Sequence, residues 1–338
     1  MRASVEWMER HQVVLHVAGL ALGAIVGFAW PAVAHPAELA IHPVLALLLF
    51  ATFLGIPFDR IGRAFRDWRF LSTILVVNFV LVPIIVWPLS RIVAHDQALL
   101  VGVLFVLLTP CIDYVIVFSG LAGGDEEKLL AAAPLLMIAQ MVLLPMYMWL
   151  FVGAEFAGSI DFTPFVEAFV LIIALPLLAA ALTQLAAART RVGWVLKQAV
   201  AGAMVPLMVA TLAVVVASQI SGVSARLGSL LLAVPVYVLF AAVMVPVGML
   251  ASRVAGLDVP GRRAVVFSGA TRNSLVVLPL VLALPAAFDL APLVVVTQTL
   301  VELVVMVVFI RLIPRFVPAR PGAGTDRTVT THTSEIET

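Results

Sequence analysis

The chain has 338 residues, of which 63% are hydrophobic and only 12% charged, with a mean hydropathy of +1.16 and a formal net charge of +1. A water-soluble globule of that size needs far more polar surface, so a soluble fold is excluded. Helical spans need about 20 apolar residues and barrel strands alternate over segments of about ten, so the long unbroken apolar runs predict an all-α polytopic membrane protein.

Hydropathy and loop chemistry predict ten transmembrane helices, at about 12–33, 40–57, 70–92, 97–122, 127–153, 163–187, 194–219, 228–254, 262–285 and 290–313. The first run is long enough to span and has no clear cleavage site, so no signal peptide is expected. Residues 314–338 form a cytoplasmic tail, disordered from about Pro318 by its Thr, Gly and charge content. Of the 20 Lys and Arg, all but Arg91, Arg226 and Arg272 fall on the side of the N-terminus. The positive-inside rule then puts both termini in the cytoplasm and the protein in the cytoplasmic membrane, with the lipid bilayer as its surroundings and no nucleic-acid partner.

Two spans are interrupted near mid-depth. Span 4 carries Thr109-Pro110-Cys111-Ile112-Asp113 and span 9 carries Ala270-Thr271-Arg272-Asn273-Ser274. An offset of 162 residues lays Thr109 on Thr271, Cys111 on Asn273, and Gln140 in span 5 on Glu302 in span 10. Five spans per half is an odd number, so the two halves, 12–153 and 163–313, enter the membrane from opposite sides as an inverted repeat. Matching discontinuous helices in inverted halves point to the midplane site of a secondary transporter, because broken helix ends expose backbone N–H and C=O groups.

Three ionisable side chains lie deep in the spans: Asp113, Arg272 and Glu302. Each costs on the order of 2.5–3.5 kcal/mol at the centre of an inserted helix, so a partner or a water-filled cavity is expected for each. Arg272 can neutralise one carboxylate, Asp113 by position, which leaves the other acid to exchange a proton. Cys111, the only cysteine, can form no intramolecular disulfide. It sits at a helix break beside a cation, where a thiolate would serve as a soft, releasable ligand.

Thr109-Pro110-Cys111, the run Ser119-Gly120-Leu121-Ala122-Gly123-Gly124-Asp125 and Leu300-Val301-Glu302 resemble the arsenical-resistance arsenite efflux carriers of the bile acid:sodium symporter superfamily. The resemblance covers about residues 12–313. It implies crossed spans 4 and 9, a core module of spans 3–5 and 8–10, and a panel module of spans 1, 2, 6 and 7. It further implies arsenite export in exchange for protons, by Cys111 and an intramembrane glutamate, with no cofactor. On that footing Cys111, Thr109, Asn273 and Arg272 are the expected substrate-binding residues, with Cys111 the arsenite ligand. Glu302, Asp113 and Gln140 are the expected coupling residues.

The chain departs from the family at two points. Asn273 is followed three places on by Val276 where arsenite carriers have glutamate, and Ser268, Arg272 and Asn273 stand where bile-acid carriers have a sodium-binding Glu-x-x-x-Gln-Asn. A permanent guanidinium there repels a sodium ion. Two alternatives stand beside arsenite export: an organic-anion carrier of the same fold using Arg272, and an intramembrane aspartyl protease. The second would need a Gly-x-Gly-Asp element that is absent, so a transporter rather than an enzyme is expected. No Gly-rich nucleotide loop accompanies the spans, which excludes a self-contained primary pump.

Overall fold

In lipid every backbone polar group must be satisfied from within the protein. The computed structural model, which describes residues 7–8, 11–55, 66–112, 114–153 and 169–318, answers that demand with helices and, among the described residues, no strand. Helix α1 (Gln12–Ala29) ends where Pro31 removes a donor, and the chain turns through Pro31–Val33 into α2 (Ala34–Gly55). The turn comes a few residues earlier than hydropathy places it.

Span 3 is α3 (Trp68–Val76), a π segment (Val77–Leu81) and α4 (Val82–Ser90). Pro83 cannot donate to the carbonyl of Phe79 four residues back, and Tyr147 Oη donates to it instead at 2.5 Å. Expected span 4 falls on two helices, α5 (Gln97–Leu107) and α6 (Tyr114–Leu121), and expected span 5 on α7 (Glu126–Val152), which carries Tyr147. After a second π segment (Phe169–Ala174) come α8 (Leu175–Arg189) and α9 (Arg191–Gly202). The start of expected span 6 lies outside the described residues.

Helical hydrogen bonding then runs unbroken through α10 (Met204–Val254). Expected span 7 falls on a bent pair, in which α9 and the start of α10 meet at 48° around Ala203. One expectation is corrected here. Spans 7 and 8 are not separated by a loop: the stretch around Arg226 holds no proline to remove an i−4 bond, so the helix continues. At 1.5 Å per residue its 51 residues rise about 76 Å, enough for the apolar stretches of both spans. Expected span 9 corresponds to α11 (Val259–Ala270) and α12 (Ser274–Leu282), and expected span 10 to α13 (Ala291–Phe316).

Packing follows side-chain size. Gly19, Gly23 and Gly27 line the face of α1 that meets α10, and a Cβ at Gly23 would lie 2.4 Å from the carbonyl oxygen of Ala213. This small-residue seam lets two backbones approach where the hydrophobic effect gives no drive. The α10 helix also packs on α11 and α13, while α13 packs on α5 and α12. Two helix interruptions are thereby enclosed by long helices.

Among the described residues, four helices are long and apolar enough to cross a membrane: Trp68–Val93, Glu126–Val152, Gly228–Val254 and Ala291–Phe316. Two bent pairs, Val14–Ala29 with Pro31–Ile41 and Arg191–Gly202 with Met204–Ser218, raise the number to six. The protein is an all-α polytopic membrane protein.

Candidate functional site at the crossing of two broken helices

The half-helices α5 and α11 are built alike. Asp96 accepts from the Leu99 N–H at 3.0 Å to cap α5, and Asp258 accepts from the Gly261 N–H at 3.2 Å to cap α11. At the other ends Thr109 Oγ1 donates to the Phe105 carbonyl and Thr271 Oγ1 to the Phe267 carbonyl, each at 2.8 Å. Every one of these pairs is separated by 162 residues. The extended segments that follow cross antiparallel, with Pro110 bridged to Arg272 and the Asn273 N–H donating to the Thr109 carbonyl at 2.9 Å.

Arg272 is wholly buried. Its N–H and that of Asn273 are turned away from their own helix, so the carbonyls of Ser268 and Gly269, four residues back, lose their normal donors. The guanidinium restores them: Nη2 donates to Ser268 O at 2.8 Å and Gly269 O at 2.7 Å. Nη2 also reaches Asn78 Oδ1 at 2.8 Å, and Nη1 reaches Leu107 O, at the end of α5, at 3.3 Å. The carbon of the guanidinium lies 5.3 Å from the centre of the Phe240 ring. Two helix C-termini, each carrying partial negative charge, thus converge on one cation. That is why a permanent charge is tolerated at this depth.

Glu302, on α13 and 3% exposed, accepts from the Arg272 backbone N–H with both carboxylate oxygens at 3.1 Å, and from Gln298 Nε2 one turn earlier. A carboxylate therefore does reach the span 9 break, from span 10. Asn273 Oδ1 caps α12 by accepting from the Val276 N–H at 3.1 Å, and Ser274 Oγ shares a 2.6 Å hydrogen bond with Thr299 Oγ1.

Of the expected site residues, Thr109, Arg272, Asn273 and Glu302 are joined by direct hydrogen bonds. Cys111 is buried in the segment that crosses, next to the bridged Pro110. Gln140, on α7, is buried as well. Asp113 lies outside the described residues, and with it the expected pair with Arg272. Sequence reasoning missed two partners, Asn78 and Gln298, and named Ser268 only as a departure from the family's sodium motif. Gln298 was discoverable from its i, i+4 spacing to Glu302, and Asn78 as an amide inside span 3.

Residues 42–226, more than half of the chain, match the model of the Sodium Bile acid symporter family. The chain belongs to that family. Members of the sodium bile acid symporter family are transporters, which fits apolar helices closing around a polar crossing. No curated protein matches the chain.

Proposed function

We propose that this sodium bile acid symporter family member is a secondary active transporter that exports arsenite, with antimonite as a second cargo, in exchange for protons. On this reading it has ten spans in two inverted five-span halves, 12–153 and 163–313, with a core module of spans 3–5 and 8–10 rocking against a panel of spans 1, 2, 6 and 7. It lies in the cytoplasmic membrane with both termini inside. The repeat is supported by the common 162-residue offset of the caps Asp96 and Asp258 and of the two threonine bonds.

The observation that carries the reading is the buried carboxylate of Glu302, docked on the Arg272 amide at the crossing that also contains Cys111. Glu302 is the proton carrier, with Asp113 as the second acid. Among the described residues no three His, Cys, Asp or Glu side chains gather as a metal site. Cys111 therefore acts as a single soft ligand: the thiol exchanges for one hydroxide of arsenic, an As–S bond replaces an As–O bond, and the thiol proton leaves with the hydroxide as water. The guanidinium speaks against the organic-anion reading, because four acceptors already occupy it. Arg272 supplies field and geometry rather than a contact for a substrate carboxylate.

The test is arsenite uptake into everted vesicles, with and without an imposed proton gradient and with sodium replaced by choline. Uptake driven by the proton gradient in choline is expected. Uptake that requires sodium, or taurocholate uptake in place of arsenite, would overturn the proposal.

A further inference from the structure

Gln140 lies midway along α7 and is 1% exposed, and among the described residues neither its Oε1 nor its Nε2 has a hydrogen-bond partner. Two orphaned amide atoms in an apolar interior are costly. The offset of 162 residues shows how they arise. Glu302, at the corresponding place, is held by the Arg272 N–H and by Gln298. The first-half positions that correspond to those two donors are Pro110, which has no N–H, and Leu136, which has no polar group. The amide is kept where both of its partners are replaced by groups that cannot bond it. Helix α7 packs against both halves of span 4, α5 and α6, and against α11. The helix that carries the orphan thus lies beside the interrupted span that carries Cys111.

We propose that Gln140 recognises hydroxyl groups in a cargo site on the Cys111 side of the crossing, and that the site takes a small neutral polyhydroxide. The inference rests on the metalloid-export reading and gives its cargo a chemical form. A primary amide presents an acceptor and two donors. A neutral hydroxide satisfies both kinds, giving O–H to Oε1 and a lone pair to Nε2. A sodium ion would satisfy Oε1 but meet Nε2 hydrogens with like charge. A carboxylate would satisfy Nε2 and repel Oε1.

The experiment uses the purified full-length protein in detergent, as wild type, Gln140→Met, Gln140→Leu and Cys111→Ser. Thermal unfolding and calorimetric titration are run with arsenite, with boric acid and with sodium chloride. Boric acid is a neutral trihydroxide with no affinity for thiols. Without ligand, both Gln140 variants are expected to melt above the wild type, because an apolar side chain replaces an orphan. Arsenite affinity should fall about tenfold in them, the worth of a neutral hydrogen bond or two. Boric acid should stabilise the wild type and Cys111→Ser and leave both Gln140 variants unmoved. Unchanged arsenite affinity in the Gln140 variants, a lowered melting temperature in both, no wild-type response to either hydroxide, or a sodium response lost with Gln140 would each overturn the site. A boric acid response that depends on Gln140 in a protein that exports no arsenite would uphold this site and sink the export reading alone.

Discussion

Replacing Arg272 by methionine keeps a long unbranched side chain and removes every donor. Four acceptors lose their partner: Asn78 Oδ1 and the carbonyls of Leu107, Ser268 and Gly269. Each orphaned buried acceptor costs about 1–3 kcal/mol, so about 4 kcal/mol is the lower bound of the direct loss. Relief of the desolvated charge works in the opposite direction. Yet removing one member of a buried charged network typically costs about 3–5 kcal/mol, because the other member stays behind, here Glu302. A net loss of about 4 kcal/mol is therefore expected. Arg272→Lys should fall between, since a single ammonium cannot reproduce the planar fork that spans α5 and α11. Reversible denaturation in mixed micelles measures both. Asn78→Leu should cost less in the Arg272→Met background than in the wild type, because the donor to its Oδ1 is already gone. A loss under about 1 kcal/mol for Arg272→Met would show that the guanidinium does not join the two broken helices.

Cys111→Ser should insert and fold normally and lose metalloid resistance, since oxygen is a hard donor; equal resistance at equal expression would reduce Cys111 to packing. Glu302→Gln should keep arsenite binding and lose proton-driven export, and an unchanged pH dependence of transport would move the proton to Asp113. Lys128 ion-pairs with Asp67 at 3.1 Å and with Asp125 and Asp258 at 3.3 Å, which ties together the residues that cap spans 3, 5 and 9. Lys128→Met should cost about 1 kcal/mol in low salt and less in 1 M salt, and a salt-independent loss would contradict an exposed ion-pair network.

The sequence made the crossing legible because its two breaks have different chemistry but a common spacing. Pro110 and the polar run Thr271–Ser274 are both out of place at mid-span, and the 162-residue offset pairs them. What it could not reveal was which way the bonds turn. A charge deep in a helix reads as a request for an opposite charge, so Arg272 suggested a carboxylate. Among the described residues the guanidinium serves the carbonyls of its own helix and the Glu302 carboxylate takes the backbone N–H, while the expected partner Asp113 lies outside them. That exchange depends on where the helix stops to within one residue, which periodicity does not resolve. The continuity of α10 escaped for a related reason: hydropathy sees the polar stretch near Arg226, with Gly222 and Gly228, and reads a loop, though no proline there removes a helical hydrogen bond.

The bridge between Pro110 and Arg272 bears on ancestry. If two halves related by a twofold axis cross here, the bridged pair straddles that axis, and each position is occupied once by proline and once by arginine. A homodimer of second halves would bring two guanidiniums to the axis, and at about 5 Å their repulsion is about 3 kcal/mol even in a medium of effective dielectric constant 20. A homodimer of first halves would have two prolines there and no guanidinium for the first-half acceptors, Asn78 Oδ1 and the Leu107 carbonyl. Neither half can now stand in for the other. On the inverted-repeat reading, joining the two copies in one chain is what lets the axis carry a single charge.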